Sequence, residues 1–88
     1  MSKARSVFHD LFDAEEAVDL EIRSVLLVGL QEWLKREGGI QAEAAKKLGV
    51  TQARISEIRN GKISRFTVDK LIALAVRAGL HPHMELAT

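Results

Sequence analysis

Gln52, Arg54, Ser56 and Glu57 lie within six residues of one another in "TQARISEIRNGK", residues 51–62. Their side chains are of the kinds that hydrogen-bond to base edges. A glutamine amide pairs bidentately with adenine, an arginine suits guanine or a phosphate, and a glutamate accepts from cytosine or orients an arginine. Ala53, between them, offers only a methyl group, which suits a thymine methyl but donates no hydrogen bond. The apolar residues of the same stretch, Ile55 and Ile58, are three apart, the spacing of one face of a helix.

Positioning such side chains requires a helix with one face held down. Thr51 is a suitable N-cap for a helix over residues 52–59, and Asn60-Gly61 a suitable stop. Before it, "QAEAAKKL" (residues 41–48) predicts a short helix stopped by Gly49. Glycine takes the left-handed conformation of a tight turn at little cost, and Ala45 is small enough for two helices to cross closely. Ala44, Leu48, Val50, Ile55 and Ile58 would then hold the pair together and leave Gln52, Ala53, Arg54, Ser56, Glu57 and Arg59 outward.

Alanine at the fifth place from Gln41, glycine at the ninth, and branched apolar residues at the fifteenth and eighteenth together make the pattern of a helix-turn-helix unit. In such a unit the second helix enters the major groove N-terminus first. Asn60, Lys62, Ser64 and Arg65 follow that helix and are expected to meet phosphates, which set register but carry no sequence information.

"QAEAAKKLGVTQARISEIRNGK" resembles the glutamine-opened second and third helices and closing "NGK" of the lambda-repressor-like, or xenobiotic-response-element, regulators. "VFHDLFDAEEA" followed by "GVTQARISEIRNGKISRFTVDKLIAL" is similar to the small HigA-like antitoxin branch, over residues 7–86. The resemblance implies an all-α, four- to five-helix DNA-binding domain over residues 1–88, with its helix-turn-helix core at residues 41–60. It places Gln41 where the family clamps the sugar-phosphate backbone. It implies a repressor acting as a homodimer on a palindromic operator. The alternative it offers is an antitoxin that neutralises a HigB/RelE-type ribonuclease toxin and regulates its own operon. One departure stands out: the family's leucine and threonine before the glutamine are here Gly39 and Ile40, which removes a side-chain cap from the second helix.

Around this core, apolar residues recur from Ala14 to about Arg36 at Val18, Ile22, Val25, Leu26, Leu30, Trp33 and Leu34. That predicts a first helix, capped by Asp13, kinked or split near Gly29 and ended by Gly38-Gly39. Residues 1–12 read as extended or irregular, with Val7, Phe8, Leu11 and Phe12 free to pack. Thr67 to Ala78 reads as a last helix with Val68, Leu71, Ile72 and Ala75 inward. The tail "LHPHMEL" reads as one short strand, paired with residues 5–8 or with a second subunit. Trp33 and Phe66 fall on apolar faces and are expected in the core, while Lys46 and Lys47 are expected to be solvated.

The 88-residue chain, 47% hydrophobic and 28% charged, has the size of one domain, and its net charge of +1 hides an uneven distribution. Residues 6–37 carry eight acidic side chains against three basic ones, a balance of −5. Residues 41–66 carry six basic against two acidic, a balance of +4. A locally basic surface, not the total, decides whether a polyanion docks, so double-stranded DNA is the expected partner. The acidic front favours helix formation and solubility or meets a protein partner.

With no cysteine, disulfides and thiolate metal sites are excluded. His81 and His83 flank Pro82 without enough companions for a metal site. No nucleophile–base pair or phosphate-cradling glycine loop stands out, so neither enzyme activity nor a cofactor is expected. The longest apolar stretch, Val25 to Leu30, is far too short for a membrane, and "MSKARSVFHD" lacks a secretory core. A cytoplasmic location is expected.

Overall fold

A computed structural model describes the backbone of residues 3–37, 39–83 and 85–86, with side chains from residue 13 onward. The order is α1 (Lys3–Glu37), α2 (Gln41–Leu48), α3 (Gln52–Arg59), a 3₁₀ turn (Ile63–Arg65) and α4 (Val68–Arg77). The fold is all-α, with no strand among the described residues.

Helix α1 is longer than its pattern of apolar residues suggests. It begins at Lys3, so the stretch expected to be irregular is helical, and Asp13 sits inside the helix instead of capping it. The reason is local: no glycine or proline interrupts residues 3–28, and helix propagation is favourable once nucleated. The expected break at Gly29 is also absent. An interior glycine costs only about 1 kcal/mol against alanine, and Leu30 and Trp33, both fully buried next to it, hold the helix in the core. The side chains of Val7, Phe8, Leu11 and Phe12, and the whole of Gly38, lie outside the described residues.

The core is one cluster drawn from every helix: Leu27, Leu30, Trp33 and Leu34 of α1, Leu48 of α2, Ile55 and Ile58 of α3, Phe66, and Leu71 and Leu74 of α4. Each such side chain contributes about 1.5–3 kcal/mol on leaving water. Trp33 and Phe66 are core residues as their positions predicted, and Lys47 is exposed with its ammonium 5.8 Å from the Trp33 ring centre.

One inward assignment needs correcting: on α4, Ile72 is 40% exposed while Leu74 is fully buried. Of the recurring apolar residues of α1, Val18 and Val25 are more than half exposed, while Leu27, outside that set, is buried. In both helices two apolar stripes lie side by side, and spacing alone does not say which one the rest of the chain covers.

Val18, Ile22, Val25, Ile72 and Leu86 line an open apolar groove between α1, α4 and the tail. The tail is not a strand: residues 80–83, 85 and 86 have no regular structure, and residues 5–8, one expected partner for it, are helical. Met84 lies outside the described residues.

Candidate nucleic-acid interface

The helix-turn-helix geometry is set at Gly49. It adopts φ 66°, ψ 36°, the left-handed conformation that glycine enters without a Cβ penalty. The Val50 amide then donates to the Ala45 carbonyl at 2.9 Å, which closes α2 and redirects the chain. From outside the motif, Arg77 of α4 donates from Nη1 to the Leu48 carbonyl at 3.0 Å. Ala44, Ala45 and Leu48 are buried on α2 and Ile55 and Ile58 on α3, so the two helices share the packing that their sequences imply.

Helix α3 starts as its sequence predicts. Thr51 is extended, and its hydroxyl oxygen accepts from the Arg54 amide at 3.2 Å. Such a cap contributes about 1 kcal/mol. Ile40, where the related threonine would stand, is extended in the same way but makes no side-chain cap for α2. Gln41 supplies a different link: its Nε2 donates to the Gln52 carbonyl at 2.8 Å and ties the starts of the two helices together.

The ten candidate residues differ in exposure. Gln52 and Ala53 are exposed at the start of α3, and Asn60, Lys62, Ser64 and Arg65 are exposed beyond its end. Arg54, Ser56 and Glu57 are half-buried, as is Gln41. The Arg54 guanidinium donates from Nη1 to Glu57 Oε1 at 3.1 Å and lies 5.4 Å from the Phe66 ring centre. Glu57 Oε2 is in turn 3.6 Å from Arg65 Nε. One carboxylate thus sits between two arginines, an arrangement in which Glu57 orients cations. Ser56 Oγ accepts from the Asn60 amide at 3.3 Å.

Sequence reasoning missed the residues that hold this surface from behind. Gln31 of α1 donates from Nε2 to the Ile58 carbonyl at 2.9 Å and, more weakly, to the Arg59 carbonyl at 3.4 Å. Arg23 pairs with Asp19 at 2.6 Å and donates from Nη1 to the Ile63 carbonyl at 3.3 Å. The available signal was spacing: Arg23, Leu27 and Gln31 lie at i, i+4 and i+8, one row on a helix surface, with a buried leucine between two donors.

No group of three or more metal-ligating side chains occurs among the described residues. His83 is exposed, its Nε2 3.5 Å from Glu85 Oε1.

Two short helices joined through a left-handed glycine, the second with an exposed N-terminal end and both seated on flanking helices, define a helix-turn-helix domain, a DNA-binding architecture. The chain belongs to the helix-turn-helix domain family, whose model matches residues 7–87. No curated protein matches it. Among the described residues, no helix is long and apolar enough to cross a membrane.

Proposed function

We propose that this protein is a sequence-specific transcriptional repressor that binds a palindromic operator as a homodimer through residues 52–59. One observation carries the reading: Gln52 and Ala53 are exposed at the leading end of a helix whose back is anchored by the fully buried Ile55 and Ile58. In this reading Gln52 pairs with adenine, Ala53 meets a thymine methyl, and Ser56 reaches one turn deeper into the groove. Glu57 orients Arg54 and Arg65, and Arg54 turns to guanine or a phosphate once DNA competes for it. Gln41, Asn60, Lys62, Ser64 and Arg65 take the backbone. A module of this size covers few base pairs, so two copies on half-sites about one helical turn apart are needed.

Selection of bound duplexes from a random pool tests this. An enriched inverted repeat with centres about 10 base pairs apart is the expected outcome. Binding that enriches no sequence and collapses uniformly with salt would leave only a charge-driven DNA binder.

A second reading rests on a different observation. Residues 13–21 of α1 are all exposed, carry five acidic and no basic side chains, and border the apolar groove. We infer that this face suits a small basic protein, which makes the chain an antitoxin of a HigB/RelE-type ribonuclease that also regulates its own operon. Copurification with a small basic protein encoded beside its gene supports this second role. Repression by this chain alone, with no such neighbour, counts against it.

A further inference from the structure

The recognition helix is held at its far end by a side chain from a helix that carries none of the candidate DNA contacts. Gln31 is half-buried, and its amide nitrogen lies 2.9 Å from the Ile58 carbonyl oxygen and 3.4 Å from that of Arg59. These are the last two residues of α3, and the Ile58 carbonyl also accepts from the Gly61 amide at 3.1 Å, so Gln31 joins the helix end to α1 through an oxygen that the turn already uses. The same nitrogen would stand 3.5 Å from a Cβ on Gly61, so it is seated against the loop that follows as well. Gly61 itself has φ 66°, and the next residue, Lys62, is exposed.

We propose that Gln31 is a positioning residue for DNA reading: its amide fixes the tilt of α3 and the start of the loop over residues 60–65, so that Gln52 and Lys62 reach one duplex together. The inference rests on the DNA-binding reading above. A rigid helix pivots about its supports. The turn at Gly49 and the Gln41 bond hold the front of α3, and Gln31 supplies the directional bond at the back. Packing of the fully buried Ile55 and Ile58 sets the depth and face of the helix, and the polar bonds at its two ends add the directional part of that restraint. Gln31 is neutral and lies behind the helix, so it acts on DNA through α3 and not by touching a phosphate.

The test compares the full-length wild type with Gln31→Leu and Gln31→Glu on the duplex selected from the random pool and on a scrambled duplex. Leucine removes the donor at similar volume, and glutamate places a carboxylate against two carbonyl oxygens. Both variants are expected to lose roughly two- to tenfold of the preference for the selected site, the worth of about one hydrogen bond. For Gln31→Leu, affinity for scrambled DNA should fall by less than affinity for the selected site, because a shifted loop still meets phosphates out of register. Gln31→Glu adds a negative charge that weakens both duplexes alike, so for it only the ratio of the two affinities is read. Leu27→Ala, on the same row of α1 but packed in the core, serves as a control for lost stability. It should lower the melting temperature and leave the preference unchanged.

Circular dichroism at the assay temperature establishes that each protein compared is folded. Should the two Gln31 variants fail to fold, Gln31→Asn keeps the amide and shortens its reach, and the same loss of preference is expected of it. Unchanged preference in the folded Gln31 variants overturns the proposal, and so does an equal loss in Leu27→Ala. A wild type that selects no sequence fails differently: it removes the DNA-reading assignment itself.

Discussion

Helix α1 is one continuous rod that lives in two environments. Over residues 27–34, the side chains of Leu27, Leu30, Trp33 and Leu34 are at most 5% exposed. Over residues 13–21 every side chain is exposed, Val18 and Leu20 included. Composition and position both contribute: residues 27–34 carry five large apolar side chains and one acidic, residues 13–21 two large apolar and five acidic. The first meets α2, α3 and α4, whereas the second runs past them: 35 residues make a helix of roughly 52 Å, and the molecule is 55 Å long but only 27 and 17 Å across. Helical periodicity therefore finds this helix from Ala14 onward, but neither its full length nor its partners. A helix held in a core at one end can continue beyond it, because extension is easier than nucleation.

The sharpest way to break this contrast is to cut into the body. Ile58→Ala should cost about 2–5 kcal/mol by denaturant unfolding, since a fully buried side chain leaves a cavity between α3 and the core. A loss below about 0.5 kcal/mol would mean that the core on which residues 27–34 of α1 pack is not closed as described.

Next in size is a change that leaves stability alone and acts on DNA. Gln52→Ala should weaken the selected site by about 1–3 kcal/mol and relax preference at one base pair. Equal losses on selected and scrambled duplexes, measured by titration, would remove Gln52 from the base readers.

Gly49→Ala should destabilise the fold by about 1–2 kcal/mol. The added Cβ has ordinary room, 3.6 Å from Arg77 Nη1, and the strain comes from φ 66° alone. Lys62→Ala should reduce the salt slope of DNA binding by about one unit and affect all sequences alike. The smallest effect belongs to the projecting stretch: Val18→Ala should change the stability of the isolated chain by no more than about 0.5 kcal/mol. A larger loss would show that this stretch is already covered in solution.

What the sequence made legible follows the same division. Helices α2 and α3 lie exactly where Gly49, Thr51 and Asn60-Gly61 set their limits, because caps and turns are decided by neighbouring residues. Ile55 and Ile58 were recognisable as core for a related reason, since they make the one branched apolar face of α3; Trp33 and Phe66 were recognisable as large rings on apolar faces. Choices between two apolar stripes were not legible. Leu27 over Val25, and Leu74 over Ile72, depend on which side another helix arrives from.

The candidate site shows the same limit. Gln52 and Ala53 stand free at the helix start, as their positions suggest. That Glu57 orients an arginine is one of the two roles its type allows, and Arg54 stands three residues before it on the same helix. That Arg54 also lies over Phe66 could not be read from spacing, because Phe66 comes from beyond the loop. The supports from Gln31, Arg23 and Arg77 lie 27, 40 and 29 residues from the carbonyls that they meet. No local pattern announces contacts at that range.

The rod also has a mechanical consequence. Its inner stretch is packed in the core beside α3, and its outer stretch, exposed over residues 13–21, reaches away from that core like the long arm of a lever. Val18 at the groove and Gln31 at the carbonyls of Ile58 and Arg59 thus stand on one unbroken helix, about 20 Å apart along its axis.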